Sequence, residues 1–275
     1  MDTMRYDALS DPEWEQVDRV WEMIDRGETD RARKQTDRLL EERPRHPDLL
    51  VLDGAVALEE GEAGRALESL AGAMRSADPA LFFHLRAMAH YLLVHVENAR
   101  DDAERALAIH PGRPETHDLL AKALELLGDD EGAAEHADEA HRLDPETYAL
   151  PLEVSDEEFD LLVERSLLEL PPRVRERLQE LPVLVEPLPS LEILTSEQPP
   201  LPPDLLGLFV GRDLLERRHD DLPGAPGAIY LFRRNLLRSC ADREELAREI
   251  RVTVQHEVGH FLGLDEDDLE QWGLA

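Results

Sequence analysis

The sequence predicts an α-helical repeat solenoid followed by a small α/β domain. Three observations carry this expectation. A 34-residue register recurs four times in the first half, prolines crowd the second half, and three short apolar runs between residues 183 and 232 read as strands.

The register is read from alanine. Ala32, Ala66, Ala99 and Ala133 are separated by 34, 33 and 34 residues. Twelve residues before each stands Val20, Gly54, Ala87 or Ala121, and twelve or thirteen after each comes Pro44, Pro79, Pro111 or Pro145. Five residues before each alanine lies Gly27, Gly61 or Gly128, with Val94 in the odd slot. Two helices of about a dozen residues, a turn between them and a proline that stops the second account for this period. Small residues belong where paired helices cross closely. One such unit cannot bury its apolar face alone, whereas four stacked units can. The pattern resembles the tetratricopeptide repeat, with units at 13–46, 47–79, 80–113 and 114–147. Solenoids of that kind present a concave groove, so a protein or peptide partner is expected there. Phe82, Phe83, His84, His90, Tyr91 and His95 either line that groove or fill the core between helices. No metal is assigned to the eight histidines before residue 150.

The second domain is expected over 155–275. Seven of the nineteen prolines precede residue 150, and the other twelve fall between Pro151 and Pro226, which makes this half loop-rich. The boundary falls between Pro145 and Val154, ahead of a capping box at Ser155–Glu158. The run Glu197-Gln198-Pro199-Pro200-Leu201-Pro202-Pro203 can be neither helix nor central strand, because proline lacks the donor both require. Strands are expected at Val183–Glu186, Leu206–Val210 and Ala228–Phe232. The one through Tyr230 is the candidate for pairing with an extended substrate. Tyr230 itself either stabilises an oxyanion or packs in the core.

Near the C-terminus stands His256-Glu257-Val258-Gly259-His260. On a helix, positions i and i+4 share a face, so both imidazoles can reach one metal ion, and the glutamate sits one step round. Asp242 reads as the N-cap, with Glu245 as capping-box partner. Leu246, Ile250, Val254 and Phe261 form the apolar stripe, and Gly263 ends the helix. His256 and His260 fall beside that stripe, on the flank of Thr253. A catalytic zinc needs three protein ligands and one open position. In the extended zincin spacing the third ligand falls on Glu266, with Asp265, Asp267 and His219 as the other candidates. Asp265 and Asp268 also suit the cap of a short terminal helix through Trp272.

Residues 155–275 resemble the minimal zincin-like metallopeptidases. The resemblance is carried by Leu205-Leu206-Gly207-Leu208-Phe209-Val210-Gly211, by Ile229-Tyr230-Leu231-Phe232-Arg233-Arg234, and by Val254 through Leu264 around the histidines. It implies a compact α/β domain, one Zn²⁺, and a glutamate acting as general base. Two features depart from the pattern. The family usually has aspartate where this chain has Glu266, and no methionine follows Met88, so the methionine turn of the metzincins is absent.

The chain has 275 residues, enough for two domains. Its net charge of −32 argues against nucleic acids and anionic membranes as partners. No apolar run is long enough to cross a membrane, and Met1-Asp2-Thr3-Met4-Arg5 lacks the character of a signal peptide. Cys240 is the single cysteine, which excludes an intrachain disulfide and suits the cytoplasm. The expected function is peptide-bond hydrolysis by zinc-activated water. His256, His260 and Glu266 would be ligands and Glu257 the general base, with the repeats recruiting a protein substrate. The rival reading is a repeat scaffold carrying a zincin domain that binds metal without turnover. Glu257 favours activity, since a merely bound metal has no use for a base.

Overall fold

The computed structural model describes residues 8–178, 181–211 and 227–263. They form two compact units. One runs up to Tyr148 and takes in Leu194–Pro202; the other comprises Ala149–Ile193 and the chain from Pro203 on.

The first unit is a solenoid of four helix pairs. These are α1 (Asp11–Asp25) with α2 (Thr29–Glu42), α3 (Pro47–Glu59) with α4 (Ala63–Leu70), α5 (Pro79–Leu92) with α6 (Val96–Ile109), and α7 (Pro114–Leu127) with α8 (Asp130–Leu143). Each helix packs on its partner, and the second of each pair also meets the first of the next. The recurrent small residues sit where the backbones approach: Ala32, Ala66 and Ala99 are fully buried. A Cβ on Gly54 would lie 2.8 Å from Cγ of Leu70 across the α3–α4 crossing, closer than packed carbons tolerate.

The turn slot is equally regular. Gly27, Gly61 and Gly128 adopt φ of 69, 74 and 79°, the left-handed conformation that reverses the chain between paired helices. Val94 takes the same slot at φ 59° despite its branched side chain. Proline plays two parts. Pro44, Pro111 and Pro145 follow the ends of α2, α6 and α8, whereas Pro79 opens α5, because α4 has already ended at Leu70. In the first turn of a helix the missing N–H costs nothing. Of the aromatic cluster, Phe82, His84 and Tyr91 are buried and so belong to the packing between helices. Two arginines reach into this interior as ion pairs. Arg33 bridges α2 to Asp53 and Glu60, and Arg86 forks onto the Asp102 carboxylate with two contacts of 2.6 Å.

The second unit holds α9 (Asp156–Glu169), α10 (Pro172–Leu178), β1 (Val183–Glu186), α11 (Leu191–Leu194), β2 (Gly207–Val210), β3 (Ala228–Phe232), α12 (Arg233–Ser239) and α13 (Arg243–Leu262). The strands form one sheet in the order β1-β3-β2, with β1 parallel and β2 antiparallel to β3. The strand through Tyr230 is therefore central, with both sides already paired. It cannot accept a substrate strand, which corrects the expectation for it. Tyr230 lies nearly parallel to Phe232, ring centroids 6.4 Å apart. The proline run 197–203 is neither helix nor strand.

The stripe Leu246, Ile250, Val254 and Phe261 turns α13 into the core, where it meets Phe159 of α9 and Ile229 and Leu231 of β3. Both capping boxes are half formed. Ser155 Oγ accepts the Glu158 N–H at 3.1 Å, but the Glu158 carboxylate pairs with Arg243 at 2.9 Å. Asp242 accepts the N–H groups of Glu244 and Glu245, while the Glu245 carboxylate takes the N–H of Ala241. No helix among the described residues is long and apolar enough to cross a membrane.

Candidate metal centre

The last two turns of α13 carry the histidine pair and the glutamate of the motif. The helix is fixed at its start by Asp242, along its length by the buried stripe, and at its end by Gly263 with φ 72°. These constraints set the rotation of the flank that bears Thr253, His256, Glu257 and His260.

The two imidazoles converge. Nε2 of His256 and Nε2 of His260 stand 2.9 Å apart, with the ring planes at 89°. Two imidazole nitrogens bound to one tetrahedral zinc at about 2.0–2.1 Å stand roughly 3.3 Å from each other. The observed separation is within a small rotamer adjustment of that edge, so the donor pair fits such an ion in both type and spacing. His260 is exposed at the helix end, and His256 is half-buried.

Glu257 is set differently. It is 6% exposed, and its Oε2 accepts the backbone N–H of Phe209 in β2 at 2.7 Å. Burial pushes its carboxyl above the ordinary value, opposed first by the Phe209 amide and then by the two histidines. A carboxylate with raised proton affinity beside an imidazole pair is suited to taking and returning a proton. The Phe209 amide lies 48 positions before Glu257 in the chain, and nothing in the spacing of the histidine motif pointed to it.

Among the described residues, no group of three or more His, Cys, Asp or Glu side chains gathers to hold a metal. Glu266, Asp265, Asp267, Asp268 and His219 lie outside the described residues, as does Trp272. The structure brings two histidines of the repeats together that sequence spacing had not linked. Nδ1 of His117 on α7 and Nδ1 of His136 on α8 are 2.8 Å apart, and Nε2 of His117 is 2.9 Å from the Pro111 carbonyl. With Nε2 donating to that carbonyl, the pair is accounted for as a hydrogen bond between paired helices.

Residues 178–274 match the family model of the zincin-like metallopeptidases. Comparison with curated proteins gives no match. Among solved structures, the chain is similar to a Pseudomonas aeruginosa pilF structure, with 22% identity over 57% of this chain and 70% of that one at a TM-score of 0.45. It is also similar to MamA from Desulfovibrio magneticus RS-1, with 22% identity over 48% and 76% of the two chains and a TM-score of 0.42. Likeness at this level says nothing of what the repeats bind.

Proposed function

We propose that the C-terminal domain is a zinc-dependent peptidase and that the repeats recruit its protein substrate. The observation that supports this most directly is the convergence of the His256 and His260 Nε2 atoms at 2.9 Å beside the buried Glu257 carboxylate. It falls within the stretch that matches the zincin-like family model.

His256 and His260 would hold the ion, with Glu266 as the third ligand and Asp265, Asp267 or His219 as substitutes for it. Bound zinc supplies Lewis acidity, polarising a peptide carbonyl and acidifying water. Glu257 accepts the proton from the attacking water and later delivers it to the departing amine nitrogen. Its burial keeps bulk water from competing for that proton. A cytoplasmic setting suits the lone, buried Cys240. The acidic surface favours a substrate or partner rich in basic residues, since opposite charge steers encounter.

Metal analysis of the purified chain tests this reading, alongside His256→Ala, Glu266→Ala and Glu257→Gln. One zinc per chain is expected in the wild type and in Glu257→Gln, and loss of it in the other two. Glu257→Gln is expected to keep the metal and lose peptide hydrolysis. A wild type that takes up no zinc even on reconstitution leaves only the repeat scaffold. Zinc lost in His256→Ala but kept in Glu266→Ala moves the third ligand to Asp265, Asp267 or His219.

A further inference from the structure

In β2 the direction of each backbone group follows from one bond. The Leu206 carbonyl accepts the N–H of Phe232 at 2.8 Å, so Leu206 faces β3. Backbone groups alternate along an antiparallel strand, so Leu208 also faces β3, while Gly207 and Phe209 turn theirs away from it. The Phe209 N–H, directed outward, is the one that meets Oε2 of Glu257 at 2.7 Å. The Cβ direction at Gly207 and the side chain of Phe209 share the face toward α13, and the Phe209 ring packs edge-on against Phe261 at 5.6 Å.

Gly207 is what allows this approach. A Cβ there would stand 2.6 Å from Cγ2 of Thr253, 3.1 Å from the Tyr230 carbonyl oxygen and 3.2 Å from Cγ of Glu257. The first distance is not tolerated by packed atoms, and the third is to the stem of the base itself. The strand therefore lies against the helix one methyl group closer than any other residue would permit.

Building on the peptidase reading, we propose that β2 sets the general base. The missing Cβ at Gly207 lets the strand seat on α13 at Thr253 and Glu257, and the Phe209 N–H then commits Oε2 of Glu257. Oε1 is left as the oxygen that exchanges the proton. Gly207 is thus a positioning residue that acts through the Phe209 amide, and Thr253 is the side chain that defines the gap.

The test is the Phe209 amide signal of the full-length chain, followed by NMR hydrogen exchange without zinc. Glu257→Ala is expected to make this amide exchange about tenfold faster, the change expected when one hydrogen bond to a charged acceptor is lost. Gly207→Ala is expected to do the same with Glu257 intact, and adding Thr253→Ala to Gly207→Ala is expected to restore protection. With zinc-loaded protein and fluorescein-labelled histone, a basic protein, Gly207→Ala is expected to lower kcat about a hundredfold at unchanged KM, with recovery in the double variant. A Phe209 amide that stays protected in either Gly207→Ala or Glu257→Ala overturns the proposal. If Gly207→Ala does not fold, the Glu257→Ala spectrum and the double variant still decide it. The amide readout needs neither metal nor substrate. A wild type that does not cleave the histone therefore counts against the peptidase reading, while the amide signals judge the positioning role.

Discussion

Val94 does in the third repeat what Gly27, Gly61 and Gly128 do in the others. For a residue with a Cβ, and a branched one above all, the left-handed conformation costs about 1–2 kcal/mol. Val94 is 9% exposed, and burying a side chain of that size contributes about 1.5–3 kcal/mol, which offsets the strain. The two terms separate under truncation. Val94→Ala loses the burial and keeps the strain, whereas Val94→Gly loses both. Val94→Gly is therefore expected to be the more stable of the two by about 1 kcal/mol, read as a higher urea midpoint at equal slope. An alanine variant as stable as the glycine one would remove the strain argument. The alanine register marked the slot at Val94, but only the backbone angle shows what the slot demands. Glu257 repeats the lesson. The base role proposed for it is read from the histidine motif, while the amide that holds its carboxylate comes from a strand the motif does not mention.

Helix α5 meets α7 at a buried histidine whose proton affinity falls on folding. Nδ1 of His84 and Oγ1 of Thr116 are 3.0 Å apart in a buried site. Burial lowers the His84 pKa to about 4, against a weaker upward pull from Glu115 and a further downward push from Arg113. In the unfolded chain the ring titrates near 6.5, so between that value and about 4 the unfolded state binds the extra proton. The stabilisation is complete above pH 6.5 and is lost progressively as pH falls toward 4, for a total of about 3 kcal/mol. Denaturation of the wild type and of His84→Gln at pH 7 and pH 4.5 isolates this from other titrating groups. The variant is expected to lose less stability on acidification, and an equal loss in both would sink the assignment to His84. Elements differ in what a sequence reveals of them. β1 and β3 run over the residues expected of them, and β2 begins one residue later. Their lateral order depends on pairings between residues distant in sequence, such as Val183 with Ile229 and Gly207 with Leu231, so only the pairing shows that the strand through Tyr230 is central. Pro79 misled for a related reason, since a proline that ends one helix and one that opens the next look alike in a period count.

Across the whole molecule, charge is the least balanced quantity. Sixty-two acidic residues face thirty basic ones. Many of the basic side chains are already engaged, as with Arg33 between Asp53 and Glu60 and Arg86 on Asp102, so the surplus is carboxylate against carboxylate. Two effects of added salt then compete. Screening relieves long-range repulsion, because the Debye length falls from about 30 Å at 0.01 M to about 8 Å at 0.15 M. The same screening weakens exposed ion pairs such as Arg26–Glu22 and Arg248–Glu244, but pairs of that kind contribute only about 0–1 kcal/mol each. The partly buried pairs are screened least. Relief of repulsion should therefore dominate, and the thermal midpoint is expected to rise between about 0.01 and 0.15 M sodium chloride, by about 2–4 °C for each kcal/mol gained. Calorimetry in the presence of a chelator, which keeps metal binding out of the comparison, checks this. A midpoint that falls with salt would mean that ion-pair networks, rather than the surplus of acid, govern the stability of the chain.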